Sequence, residues 1–229
     1  MAAPQDLRLQ HSWVFRNHIK GARPKAHEST SEDKYKRLFQ AIAEVSSVEQ
    51  LWCTLNNIPF PKAVVCTDKA VRIGNNAQIT NGLSVFQQGY EPTWEMFRGT
   101  DDCIHELFVS FRDGALAEKM WHNLLLDLLG GSITDRGIDS DRVTGARLIY
   151  KSQDWQQQTT TFKIELWVVG ATKHMQTAIE QWLTDLCVEL HLTHTGEKVP
   201  ASEGTYTHIA LCRLGQKINF VPKNFKRTG

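Results

Sequence analysis

An α+β domain with a mostly antiparallel sheet is predicted by three features of this 229-residue sequence. Strand-like runs outnumber helix-like ones. The helix-like stretches carry apolar residues at three- and four-residue spacing, and long strand-rich runs separate them. A strict strand–helix alternation would instead have signalled a parallel sheet. With three amphipathic helices and one sheet, the simplest burial scheme lays all three helices on one sheet face. At 41% hydrophobic and 22% charged residues the chain has enough apolar material for that core. The expected division is a flexible tail over residues 1–8 and a single domain over 9–229.

Taken in order, residues 9–15 predict a first strand. Residues 20–34 (KGARPKAHESTSEDK) are polar, contain Gly and Pro and lack apolar periodicity, so they read as a flexible loop. A strand is expected over 35–45. Ser46-x-x-Glu49 then reads as a capping box, and Val48, Leu51, Trp52 and Leu55 follow at helical spacing until Pro59 and Pro61 stop the helix near Ile58. Residues 63–67 predict a strand, and 69–82 are polar with several Asn and Gly. CIHELFVSF over 103–111 has a strand pattern. Residues 116–129 form a strongly apolar helix, with Asp113 as N-cap and Gly130-Gly131 as its stop. Two strands over 143–151 and 159–169 are joined by a polar turn, and Met175, Ala178, Ile179, Trp182, Leu183, Leu186, Cys187 and Leu190 make the stripe of a third helix. A last strand lies within 205–214, ahead of a basic tail.

Composition excludes several function classes. Lys plus Arg number 26 against 25 Asp plus Glu, so a strongly basic nucleic-acid coat is not expected, although a small basic pocket is allowed. No apolar run approaches the ~20 residues of a spanning helix, and the first thirty residues have no signal-peptide pattern, so no membrane association is expected. Five scattered cysteines (53, 66, 103, 187 and 212) without a CxxC pair point to reduced thiols in cytoplasm or nucleus. His191-x-x-His194 has ligand-like spacing but no second pair, so neither a metal nor another cofactor is expected. The chain has no GxxxxGK[ST], HExxH or GxSxG, and the expectation is that it is not an enzyme.

Two places suit ligand recognition. On the strand over 159–169, Phe162, Ile164, Leu166 and Val168 share one face and would pack under the helices, leaving Lys163, Glu165 and Trp167 on the other. A cation and an indole there suit a binding surface; the alternative is an exposed lysine beside a partly covered tryptophan. The second place is Glu91-Pro92-Thr93-Trp94-Glu95, preceded by Gln87, Gln88 and Gly89. A loop indole followed by a carboxylate can stack on a planar ring and take the two adjacent N–H donors of guanine. Methylation of guanine at N7 would add a cation–π contribution of about 0.5–2 kcal/mol. The alternative is an indole that plugs the edge of the core.

These motifs stand in company. LQHSW (Leu9 to Trp13), SVEQLW (Ser47 to Trp52), SVFQQGYEPTWE (Ser84 to Glu95), MWHNLLLDLLGGS (Met120 to Ser132) and KIELW (Lys163 to Trp167) occur in the order found in the eukaryotic translation initiation factor 4E family, which the sequence resembles from about residue 9 to 169. The resemblance implies a curved, mostly antiparallel sheet with three helices on its convex face. It also implies binding of the 7-methylguanosine 5′ cap of mRNA in translation initiation, in a cytoplasmic or nuclear protein. The family sandwiches 7-methylguanine between two aromatic rings. One would be Trp94; the other falls on Tyr35, 17 residues before Trp52, where the family usually carries Trp. Glu95 would read the guanine edge, and Trp167 would meet the N7 methyl. Lys163, Lys151 and Arg98 would hold the phosphates. Val48, Trp52, Asn123 and Leu126 match the surface that receives a Tyr-x-x-x-x-Leu-apolar peptide from a 4G-like scaffold or a 4E-binding repressor, although Val48 and Leu126 also fit plain core packing. The other reading is a protein–protein interaction module of the same fold that regulates translation and binds cap weakly. Residues 20–34, 68–82 and 191–205 differ most from the family pattern.

Overall fold

The computed structural model describes residues 7–19, 38–58, 72–73, 78–93, 103–111, 114–154, 159–195, 206–213 and 216–218. The elements run β1 (Arg8–Ile19), β2 (Phe39–Ser47), α1 (Val48–Asn57), β3 (Arg72–Ile73), β4 (Gln78–Gln87), β5 (Cys103–Phe111), α2 (Gly114–Gly130), a 3₁₀ turn (Ser132–Arg136), β6 (Val143–Asp154), β7 (Thr159–Val168), α3 (Lys173–Thr195), β8 (Tyr206–Arg213) and β9 (Gln216–Ile218). One open sheet has the order β2-β1-β4-β6-β7-β5-β8-β9, with every neighbouring pair antiparallel and β3 paired to β4. The expected α+β architecture, with three helices covering one sheet face, is the one observed.

Alternation decides which side chains go under the helices. Trp13 and Phe15 of β1, Leu83 and Val85 of β4, Ala146 and Leu148 of β6, and Phe162, Ile164, Leu166 and Val168 of β7 are all buried in one cluster with the helices. Each helix contributes a stripe to it: Leu51 and Leu55 from α1, Met120, Trp121, Leu124, Leu125, Leu128 and Leu129 from α2, and Met175, Ile179, Trp182, Leu183, Leu186 and Cys187 from α3. Trp13, Trp121 and Trp182 are therefore core residues. The indole of Trp182 donates to Asp127 Oδ2 at 2.8 Å, while Ser132 Oγ donates to Asp127 Oδ1 at 2.9 Å, so one carboxylate ties α2 to α3 and to the 3₁₀ turn. The Cys187 thiol, buried in this apolar cluster, is pushed up to about 12 by desolvation, so it packs as a small hydrophobe and is not a reactive thiolate.

Several boundaries differ from the sequence expectation. The cap of α1 is Ser47, one residue later than expected: its hydroxyl accepts from Gln50 N at 3.3 Å, and Gln50 Oε1 accepts from Ser46 N at 2.8 Å. Gln50 thus closes the helix start, its N–H on the Ser47 cap and its side chain on the backbone of Ser46 one residue earlier, and Glu49 is left in the first turn, where its charge suits the helix dipole. β4 starts at Gln78, inside a stretch read as polar, because β3 pairs with Gln78 and Ile79 and β1 takes over the ladder from Thr80. The short β9 was not expected. The predicted strand over 63–67, the loop over 20–34 and the Asp113 cap lie outside the described residues.

Close packing between β4 and β6 depends on Gly145. A Cβ placed there would lie 2.4 Å from the Phe86 ring and 2.7 Å from Val85 O. Phe86 has no free volume to retreat into, being fully buried. Gly145→Ala is expected to destabilise the fold by about 1–3 kcal/mol through overpacking, read as a lower urea midpoint with an unchanged slope.

Candidate functional site

On the face away from the helices, register aligns side chains in three transverse rows. The first is Val14–Phe86–Gly145–Trp167–Ile104. The second is Arg16–Ser84–Arg147–Glu165, and the third is His18–Gly82–Ile149–Lys163. An apolar band therefore lies beside a charged one.

In the apolar row, Phe86, Ile104 and Trp167 form a second, smaller cluster against which Tyr90 packs. Phe86 meets Trp167 edge to face, with centroids 5.6 Å apart and planes at 75°. Trp167 has 0% exposure. Tyr90 belongs to the turn that ends β4: its N–H donates to Gln87 O at 3.0 Å, and Gly89 takes φ +95°, the left-handed position such a turn reserves for glycine. Gln88 N also donates to Ser12 O at 2.8 Å. Pro92 and Thr93 are buried, and Thr93 N closes on Glu91 O at 2.7 Å. The segment Tyr90–Thr93 is thereby anchored beside Trp167.

The charged row centres on Glu165, which is 3% exposed. Its Oε1 is ion-paired with the Lys163 ammonium, and its Oε2 accepts from Trp167 Nε1 at 3.2 Å and lies 3.5 Å from Arg147 Nη1. Both Lys163 and Trp167 are two residues away on the same strand face, so β alternation alone brings all three together. A buried carboxylate is tolerated here because each oxygen has a charged or N–H partner. Arg147 Nε donates to His18 Nδ1 at 3.1 Å, and its guanidinium lies 5.4 Å from the centre of the Phe39 ring. His18 meets the same ring edge-on at 4.4 Å. The network thus spans β2, β1, β6 and β7. Arg16, in the same row as Arg147, is lowered from its ordinary value by burial, with Glu91 and Glu44 opposing that shift.

The sequence-derived site residues divide into three groups. Lys163 and Trp167 occupy the expected face, but Lys163 is 9% exposed and held by Glu165, so neither an exposed lysine nor a partly covered indole describes them. Lys151 lies where the β6–β7 register shifts, between Tyr150 and Ser152, so strand pairing assigns it no face. Tyr35, Trp94, Glu95 and Arg98 lie outside the described residues. On the helix side, Trp52 is 48% exposed, whereas Val48, Asn123 and Leu126 are half-buried, with Leu126 packed against the core. Sequence reading missed Arg16, His18 and Arg147. Their signal was the alternation itself: Arg16 and His18 follow Val14 at steps of two on β1, and Arg147 lies two residues from Gly145 and Ile149 on β6.

The described residues thus form an open antiparallel sheet with three helices on one face and a tryptophan-centred polar network on the other. The chain matches the family model for eukaryotic initiation factor 4E over residues 8–199 and belongs to that family. It is accordingly not an enzyme. Solved structures share the fold at 18% sequence identity: Ascaris suum eIF4E-3 in complex with m7G cap, with TM-score 0.58 and covering 97% of this chain and 96% of that one; and C. elegans eIF4E-3 with the 4E-binding protein Mextli and a cap analog, with TM-score 0.57, 91% and 92%. Ascaris suum eIF4E-3 with m2,2,7G cap matches at TM-score 0.56 and 18% identity, with 90% and 91% covered. No curated protein matches the chain in sequence. Among the described residues, no helix is long and apolar enough to cross a membrane.

Burial and the neighbouring charges of Arg147 and Arg16 hold His18 neutral, well below the usual imidazole value of 6.5. The unfolded chain takes up a proton below that value while the folded chain does not. Stability from this group is therefore intact above pH 6.5 and falls as pH drops toward the folded value, by up to about 1.4 kcal/mol per pH unit. Thermal midpoints should decline below pH 6.5, and more shallowly in His18→Gln, whose amide oxygen can still accept from Arg147. Some slope should persist, because His122 is also lowered by burial.

Proposed function

We propose that this chain is a non-catalytic binder of the 7-methylguanosine cap of mRNA in translation. The observation that carries the reading is the anchoring of the Glu91-Pro92-Thr93 stem, through Tyr90, onto the Trp167 cluster. In this reading the two residues that follow, Trp94 and Glu95, meet the ligand on the face the helices leave open. Trp94 stacks on the methylated base with Tyr35 as the opposing ring, Glu95 takes the guanine N1–H and N2–H, and Trp167 forms the wall beside the N7 methyl. Lys151 and Arg98 face the phosphates. Membership of the initiation factor 4E family and the likeness to folds solved with cap bound support it. Trp94→Ala should abolish retention of the folded protein on 7-methyl-GTP resin and Glu95→Ala should nearly do so; unchanged retention of both would end the proposal.

The exposure of Trp52 supports a second role for the same molecule. A large indole 48% exposed on α1, next to a buried Leu51, is placed for a partner. We propose that Val48, Trp52, Asn123 and Leu126 receive an amphipathic helical peptide of the Tyr-x-x-x-x-Leu-apolar type, from a 4G-like scaffold or a 4E-binding repressor. Trp52→Ala should lose binding to such a peptide, measured by fluorescence anisotropy, while keeping its retention on 7-methyl-GTP resin. If 7-methyl-GTP at millimolar concentration quenches no tryptophan fluorescence of the unaltered chain, this partner face is the main function and cap binding is not.

A further inference from the structure

Trp167 donates its indole N–H to Glu165 Oε2 at 3.2 Å. A glutamate carboxylate turns readily about its last bond, so its partners set its plane. Oε1 carries the Lys163 ammonium, while Oε2, the oxygen that holds the indole, faces Arg147 Nη1 at 3.5 Å. Arg147 is itself a long side chain with many rotamers, and two contacts fix it. Its Nε donates to His18 Nδ1 at 3.1 Å, and its guanidinium lies 5.4 Å from the centre of the Phe39 ring. His18 stands two strands away on β1, with β4 between. Gly82 keeps that lane open: a Cβ there would lie 3.3 Å from His18 Nδ1 and 2.4 Å from Leu148 O. Because Nδ1 accepts, the imidazole must be neutral with its proton on Nε2. Burial and the charges of Arg147 and Arg16 favour that form. Phe39, which His18 meets edge-on at 4.4 Å, opens β2 four residues after Tyr35.

We infer that His18 is a positioning residue of the open face: through Arg147 and Glu165 it holds the Trp167 indole, and through Phe39 it ties that indole to the strand that follows Tyr35. The ligand half of this inference rests on the cap-binding proposal and deepens it. There, one buried imidazole sets both the wall beside the N7 methyl and the start of the strand that follows the second ring. A side chain that only filled space at position 18 would leave the Trp167 N–H unchanged. A side chain that orients Arg147 would not.

The test compares His18→Phe, which keeps a ring against Phe39 but has no acceptor, with His18→Gln, which keeps an acceptor for Arg147. In the full chain, the indole N–H cross-peak of Trp167, assigned with Trp167→Phe, should move in His18→Phe and stay near its place in His18→Gln. Affinity for 7-methyl-GTP should fall about tenfold in His18→Phe and recover in His18→Gln. In a Trp167→Phe background, which lacks the N–H this chain of contacts acts on, His18→Phe should change affinity by less than about twofold. A folded His18→Phe with an unmoved cross-peak overturns the inference, and so does an equal loss of affinity in both backgrounds; cap binding survives either result. If His18→Phe does not fold, Arg147→Lys, which cannot both donate to His18 and face Glu165, is read by the same two measurements. If the unaltered chain does not bind 7-methyl-GTP, the cap-binding proposal falls with the ligand half of this inference, and the cross-peak still decides whether His18 holds the indole.

Discussion

A single carboxylate organises the open face of this sheet. Glu165 is buried, and a buried anion persists only where every lone pair is answered. Strand alternation supplies Lys163 and Trp167 from its own strand, and cross-strand pairing supplies Arg147. Arg147 in turn engages His18, and both rest on Phe39. The outermost described strand on that side, β2, is thus linked to β7 through side chains as well as through the intervening β1, β4 and β6 ladders. The apolar row beside this network is held by different means, the edge-to-face contact of Phe86 with Trp167 and the missing side chain of Gly145. Charge fixes one band and shape the other, and Trp167 belongs to both.

The two sheet faces are consequently different in kind. The helix side is a large apolar core with Asp127 as a polar staple between helices. The open side has a small aromatic cluster and a charged network. That asymmetry suits a protein whose core gives stability and whose open face recognises a ligand. It also explains why the loop after β4 matters. Its glycine turn, the bond from Gln88 to Ser12 and the packing of Tyr90 fix the chain from Gln88 to Thr93 beside the small aromatic cluster.

Much of this architecture was legible in the residues. The helix stripes of α1, α2 and α3, the bounds of β5, and the division of β7 into an apolar face and a Lys163–Glu165–Trp167 face all follow from periodicities of 3.6 and 2. Elements whose local pattern is weak were not legible: β4 begins in Gln-Ile-Thr-Asn-Gly, where Asn and Gly mask the two β-branched residues, and its start is set by pairing with β3 and then β1. The α1 cap was off by one because two serines and two candidate partners, Glu49 and Gln50, are adjacent. The ion network was half visible. Glu165 and Lys163 lie on one strand, two residues apart, but Arg147 and His18 come from β6 and β1, and no spacing rule brings them together before the register is known. That Lys163 is ion-paired with Glu165 inside a network reaching β1 and β6 is a tertiary fact.

The junction between β1 and α1 couples the two sides of the molecule. Val48, the first residue of α1, donates its backbone N–H to the carbonyl of Leu7 at 2.9 Å, and the same segment continues into β1, whose Val14, Arg16 and His18 line the open face. Proteolytic clipping just ahead of Arg8 would remove that acceptor and leave an orphan donor at the start of the helix that displays Trp52. The ladders holding Arg16 and His18 would stay intact. A cut there would loosen the first turn of α1 and leave the open face of the sheet in place.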